Sequence, residues 1–157
     1  MNVCWWLKAD VRLCALAAQK FGQRIQIIHP ASEQDLEPAF ASMVQLKVGA
    51  LIVGADPFFN ARRDQIVLLA ARHAIPAIYE QRSFVTAGGL MSYGTNLADA
   101  YRQAGIYTGR ILKGEKPGDM PVVQATKFEL VLNLKAAKAL ALNIPSGLLT
   151  IADEIIE

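Results

Sequence analysis

Residues 48–59 read VGALIVGADPFF, and this stretch decides the fold. Its apolar part, GALIVGA at 49–55, is β-branched in the middle, the pattern of a strand buried on both faces. Asp56 and Pro57 then break the run in the order of a helix N-cap followed by a first helical position. Two phenylalanines come next. Neighbouring residues at a helix start point apart, so Phe58 and Phe59 cannot both enter the core, and one is expected to face a cleft.

The same unit recurs on either side. Upstream, LKADVRLCALAAQKFG (7–22) carries apolar residues at helical spacing and stops at Gly22. RIQIIHP (24–30) reads as a strand ended by Pro30. Ser32, with Asp35 three residues on, opens SEQDLEPAFASMVQLK (32–47) as a capping-box-like helix in which Pro38 is a possible kink. Downstream, NARRDQIVLLAARHA (60–74) predicts an amphipathic helix, IPAIYE (75–80) a third strand and LMSYG (90–94) a fourth. NLADAYRQAGIYTGRILKG (96–114) predicts a long helix capped by Asn96 and stopped by Gly114. EKPGDMP is a loop, FELVLN (128–133) a strand, LKAAKALAL (134–142) a helix, and IPSGLLTIADEIIE (144–157) a helical turn with a tail. Strands alternate with helices, so the expected fold is α/β: a three-layer αβα sandwich with a mainly parallel sheet.

Composition excludes several classes. A chain of 157 residues that is 53% hydrophobic builds one cored domain and is not disordered. Its net charge of +2 and its scattered basic residues give no nucleic-acid footprint. No apolar run has the length of a membrane span. The start, MNVCWWLKADVRLC, lacks the pattern of a signal peptide, so the chain as written is expected to be cytoplasmic. Cys4 and Cys14 fit neither a CxxC motif nor a zinc site, and a helix over residues 3–20 would make both small core residues. His29 and His73 read as structural. No metal cluster, cofactor loop or nucleophile motif is evident, so no catalytic residue, metal or cofactor is expected.

In an open α/β sheet, ligands bind beyond the C-terminal ends of the strands. Three ends each deliver an aromatic and a polar group: Asp56 with Phe58 and Phe59, Tyr79 with Glu80 and Gln81, and Tyr93 with Thr95 and Asn96. Aromatic faces grip an apolar or ring-bearing solute and an acid pairs with an amine, which suits binding better than turnover. Two plainer readings stand beside this one: Tyr79 packing under a helix, and Asp56 serving only as a cap.

ADPFFNARRDQIVLLAARHAIPAIY, GGLMSYGTNLADAYRQAGIYTGRILKGEKPGDMPV and TKFELVLNLKAAKALALNIPSGLLTIADEIIE together resemble the C-terminal half of an ABC transporter substrate-binding protein, of the type I periplasmic binding fold. The resemblance runs from about residue 8 to the end. It implies two lobes joined by crossing strands with a small solute, such as an aromatic or other amino acid, held between them. It implies that Asp56, Phe58, Phe59, Tyr79, Glu80, Gln81, Tyr93, Gly94 and Asn96 line one wall of that cleft, with Tyr93 and Gly94 where the chain crosses over. Residues 1–95 would be the C-terminal lobe lacking its first strand, 96–124 a crossover segment belonging to a missing N-terminal lobe, and 125–157 the return. An ABC permease is the implied partner and the periplasm the implied location. On that resemblance the chain is expected to be truncated, with half the cleft absent.

Two other classes fit the same pattern: the effector-sensing domain of a transcription regulator, and a small α/β hydrolase using Asp56 or Glu80. Finally, Leu97, Ala100, Tyr101, Ala104, Tyr107, Ile111 and Leu112 form one apolar stripe. In the family arrangement this helix would pack on the N-terminal lobe expected to be missing, so the stripe predicts a homo-oligomer through the helix 96–114.

Overall fold

The structure is a computed structural model that describes residues 2–6, 18–20, 22–124 and 127–157, for residues 2–6 the backbone alone. A seven-stranded sheet runs through it in the order β2-β1-β3-β4-β5-β6-β7. The strands are β1 (Asn2–Trp6), β2 (Arg24–Ile27), β3 (Val48–Val53), β4 (Ala77–Tyr79), β5 (Met91–Thr95), β6 (Phe128–Asn133) and β7 (Glu154–Ile156). Every neighbouring pair is parallel except β5 with β6. The α/β class is therefore as the alternation of elements indicates: a mostly parallel sheet flanked by helices.

Residues 2–6 correct the sequence reading twice. They form a strand, not the start of a helix. That strand pairs with both β2 and β3, so the sheet position expected to be empty is filled. An apolar run as short as NVCWW carries no period that separates strand from helix. Most of the helix expected over 7–22, with Cys14, lies outside the described residues; residues 18–20 are helical, and Gly22 has a φ of +64°.

Register sets the core. Val53, Tyr79, Ser92, Val131 and Glu154 stand side by side in one row across β3 to β7, and the first four of these are buried. The neighbouring row, Ile52, Ile78 and Met91 on the opposite face, is half-buried. β3 is thus tightly covered on one face and looser on the other, rather than equally buried on both.

Helix α1 (Leu36–Gln45) packs on the tight face through Leu36, Ala39, Phe40 and Met43, all buried. Those positions recur at three and four residues, one side of a helix. A 3-10 turn, Glu33–Asp35, precedes it. There the Asp35 carboxylate accepts from the Ser32 N–H at 2.8 Å and from its hydroxyl at 2.8 Å, which holds its pKa below the ordinary carboxylate value. Pro38 sits in the first turn, where backbone donors have no helical acceptor, so no kink follows.

The single helix expected over 60–74 is two: α2 (Pro57–Ala61) and α3 (Arg63–Arg72). The break is Arg62, at φ −112° and ψ 17°, whose Nε meets a Glu33 carboxylate oxygen at 2.9 Å. Ile66, Val67, Leu69 and Ala70 of α3 are buried. Beyond it, His73 stacks on Phe40 with centroids 5.8 Å apart, a packing role as the sequence indicates. The short helix α4 (Arg82–Thr86) lays Phe84 and Val85 in the core.

Helix α5 (Leu97–Leu112) runs as its caps predict. Asn96 Oδ1 accepts from the Asp99 N–H at 2.8 Å, and Gly114 at φ +99° closes the far end. None of its residues is buried. The chain returns through β6, then α6 (Leu134–Ala139) and α7 (Ser146–Ile151). The tail is not irregular: Glu154–Ile156 adds β7 in parallel to β6.

Candidate functional site

The C-terminal ends of β3, β4 and β5 form one rim. Val53 is level with Tyr79 and Tyr79 with Ser92, so β5 runs on past the end of β4 with Tyr93, Gly94 and Thr95. Gly94 is where the two ends lock together. A Cβ added to it would stand 2.0 Å from the Glu80 carbonyl oxygen and 3.0 Å from the Glu80 Cγ. Only a residue without a side chain allows that approach.

At the β3 end, Asp56 is the N-cap of α2, with Pro57 at the first helical position. Its Oδ1 accepts from the Phe58 N–H at 2.7 Å, and the residue is only 8% exposed. Phe58 is half-buried against the core, and its ring is tilted 60° to that of Phe59 with centroids 5.6 Å apart. The expectation that both rings belong to the wall is corrected in one respect: Phe59, 5% exposed, lies in the core.

Tyr79 needs the larger correction. It is 1% exposed and stacks on Phe84, centroids 4.6 Å apart and planes 13° apart. Its side chain shares the row of Val53, Ser92 and Val131 under the helices, so packing beneath a helix is the reading that holds. Burial pushes its hydroxyl pKa far above the ordinary tyrosine value. Phe84, the ring that takes it inside, carries no sequence signal beyond being apolar.

Glu80 and Gln81 stay at the rim, both half-buried. One carboxylate oxygen of Glu80 is buried and has no hydrogen-bond partner among the described residues. Gln81 is the backbone N-cap of α4. Tyr93 is 57% exposed and stacks on Phe128 of the adjacent antiparallel strand, centroids 5.9 Å apart. Asn96 caps α5 and donates through Nδ2 to Glu129 at 2.7 Å.

Gln81 and Asn96, from the ends of neighbouring strands, share one pocket of about 380 Å³. Arg82, Ser83, Thr95 and Glu129 complete its polar lining. Sequence reasoning placed Thr95 at the strand end and missed Arg82, Ser83 and Glu129. Glu129 faces Gly94 in the antiparallel register, a pairing that no local pattern reveals. Arg82 is held by Glu154 of β7 through bonds of 2.8 and 2.5 Å. That pair raises the arginine pKa and lowers that of Glu154. Asp56 and Phe58 border the rim at β3 and are not part of this pocket. The arrangement can hold a small polar solute by hydrogen bonds beside exposed aromatic rings. Among the described residues, no helix is long and apolar enough to cross a membrane.

A mostly parallel sheet whose strand ends present such a rim is the architecture of an open α/β ligand-binding domain. The chain belongs to the ABC transporter substrate binding protein family, whose profile matches residues 7–156; this is a family of solute-binding proteins, not of enzymes. It is 26% identical over 110 residues to the tyrosine-binding protein of Clostridioides difficile strain R20291, an alignment covering 70% of this chain and 32% of that one. Its fold is similar to a conserved domain protein from Vibrio cholerae (TM-score 0.85, 22% identity, 98% of this chain and 54% of that one). It is similar also to an ABC domain in complex with L-Trp from Streptococcus pneumonia (TM-score 0.85, 23% identity, 99% and 56%). A third likeness is the ligand-free, open structure of a substrate binding protein with adhesive properties from Clostridium difficile (TM-score 0.67, 23% identity, 99% and 53%). The chain spans about a third of the curated relative and about half of each solved structure.

Proposed function

We propose that this chain supplies one wall of the solute cleft of an ABC import system and that the solute is an amino acid with an aromatic side chain. The observation that carries the reading is the shared pocket of Gln81 and Asn96 at the sheet rim. Glu129 in the pocket lining and the half-buried Glu80 next to Gln81 supply carboxylates suited to an ammonium group, and the exposed Tyr93 ring is suited to a solute ring. The names of two similar proteins, a tyrosine-binding protein and a domain in complex with L-Trp, support the same solute class. Phe58, Glu80, Gln81, Tyr93, Gly94 and Asn96 are the wall; Asp56 shapes its first loop, and Phe59 and Tyr79 brace it from behind. Residues 1–95 and 125–157 form one lobe in this reading, and 96–124 reaches toward a second. The partner is an ABC permease, and the setting is outside the cytoplasmic membrane.

Titration of the labelled chain with L-Trp and L-Tyr, followed by amide NMR shifts, tests the wall. Perturbations are expected at 56–58, 80–81 and 93–96; saturable shifts that avoid these residues overturn the assignment.

The unburied helix α5 is read as an association surface that pairs two copies of the chain. Its exposed Leu97, Tyr101, Ile111 and Leu112 would gain roughly 1.5–3 kcal/mol each on full burial. Light scattering after size exclusion should give a dimer that Tyr107→Glu with Ile111→Glu dissociates. A monomer, or a dimer indifferent to those changes, refutes this part.

A further inference from the structure

The rim pocket of about 380 Å³ carries two charged side chains among the described residues, Arg82 and Glu129. They come from different elements, Arg82 from the start of α4 and Glu129 from β6, and they differ in what already holds them. The Arg82 fork is taken. Its Nε and Nη2 donate to the two Glu154 carboxylate oxygens at 2.8 and 2.5 Å, the two-bond pairing of a planar guanidinium with a planar carboxylate. Glu154 belongs to β7 and is not part of the pocket lining.

Glu129 is held but not neutralised. Asn96 Nδ2 donates to its Oε2 at 2.7 Å, and a neutral donor fixes a carboxylate while leaving its charge in place. Its Oε1 has no hydrogen-bond partner among the described residues, and its cross-strand neighbour, Gly94, has no side chain to cover it. The charges around the pocket therefore do not cancel. One guanidinium stands against two carboxylates: hydrogen bonding to Glu154, with the fields of Glu154 and Glu129, raises the arginine pKa. Glu80 precedes Gln81 on the same rim. The N-terminus of α5 also borders the pocket, but Asn96 Oδ1 accepts from the Asp99 N–H and Asp99 sits in the first turn, so its partial positive charge is answered locally. The pocket is left net negative, with the uncompensated end at Glu129.

We propose that this wall recognises the amine of its solute and not the carboxylate, so that an aromatic primary amine is as good a ligand for it as the corresponding amino acid. The proposal rests on the cleft-wall reading above and assigns roles within it. Glu129 anchors the ammonium group. Glu154 is a positioning residue: it occupies Arg82 and so keeps the pocket from attracting an anion. An arginine already paired with one carboxylate has little net field left for a second. A bond from an ammonium group to a half-buried carboxylate is charge-assisted and stronger than a neutral one. Specificity at this wall comes as much from the interaction withheld as from the one offered.

The test uses three probes that share one ring, phenethylamine, 3-phenylpropionate and L-phenylalanine, titrated into the intact chain at neutral pH with amide NMR shifts as the readout. Phenethylamine should give saturable shifts at Gln81, Thr95, Asn96 and Glu129, with a Kd no weaker than that of L-phenylalanine. 3-Phenylpropionate should give none. Glu129→Gln keeps an acceptor for Asn96 and removes the charge; it should weaken phenethylamine about tenfold, the worth of a hydrogen bond to a charged group. With Arg82 released by Glu154→Gln, 3-phenylpropionate should begin to shift the same amides, a switch that a merely structural pair would not produce. Tighter binding of L-phenylalanine than of phenethylamine, saturable binding of 3-phenylpropionate by the unaltered chain, phenethylamine binding unchanged in Glu129→Gln, or a Glu154→Gln variant that still ignores 3-phenylpropionate would each overturn the proposal; where L-phenylalanine still saturates the pocket, the cleft-wall reading survives it. If neither L-phenylalanine nor phenethylamine moves these residues, the cleft-wall reading falls and the proposal with it.

Discussion

Helix α1 buries four side chains on the sheet; helix α5, longer and just as clearly amphipathic, buries none. Both carry apolar residues every three and four positions. Only α1 lies across the row of strands that its own chain supplies. An apolar stripe is thus a statement that a helix has an inner face. It does not say that the same chain provides what that face should meet.

The sharpest way to break this contrast is to shorten one ring in each helix. Phe40→Ala removes a fully buried side chain and should cost about 3–5 kcal/mol of stability in urea unfolding. Tyr101→Ala, at a position 75% exposed, should stay within about 0.5 kcal/mol in the monomer. Equal losses would mean that α5 is packed after all. A smaller effect is expected from Asp56→Ala, which removes the cap that orients α2 at the rim. About 1 kcal/mol should go, and the Phe58 amide should show it first.

The smallest effect concerns the surface pair that ties α4 to β7. Arg82 keeps the Glu154 carboxylate below the ordinary range, so the fold holds it ionised at a pH where the unfolded chain would take up a proton. The stability it adds is present at neutral pH and is lost as pH falls through the acid range. For so exposed a pair about 0.2–1 kcal/mol is expected, and Glu154→Gln should flatten that part of the urea-midpoint profile. An unchanged acid dependence in the variant would remove the pair from the account.

Much of this architecture is legible in the chain. β3, β5 and β6 follow from short apolar runs, and α5 is bounded on both sides by Asn96 and Gly114. The losses have physical causes. β1 and β7 are too short to show a period. The break between α2 and α3 falls at Arg62, whose φ of −112° and ψ of 17° need neither glycine nor proline, so residues 60–74 read as one continuous helix. At the rim, strand ends locate Glu80, Gln81 and Asn96. Which way Tyr79 points depends on the face that Phe84 covers, and Glu129 arrives through the one antiparallel pairing. Neither relation is local.

That pairing has a further consequence. The Asn96 N–H donates to the Lys127 carbonyl at 2.9 Å, so the chain departs from the sheet and rejoins it at a single point. In connectivity, β5 and β6 are a hairpin, and everything from α5 to β6 is its loop. Loop closure is insensitive to what lies between two ends that already touch. The sheet should accept a short glycine-containing turn in place of the excursion, or a foreign domain whose termini lie side by side. The junction of Asn96 and Lys127 is a natural grafting point on this scaffold.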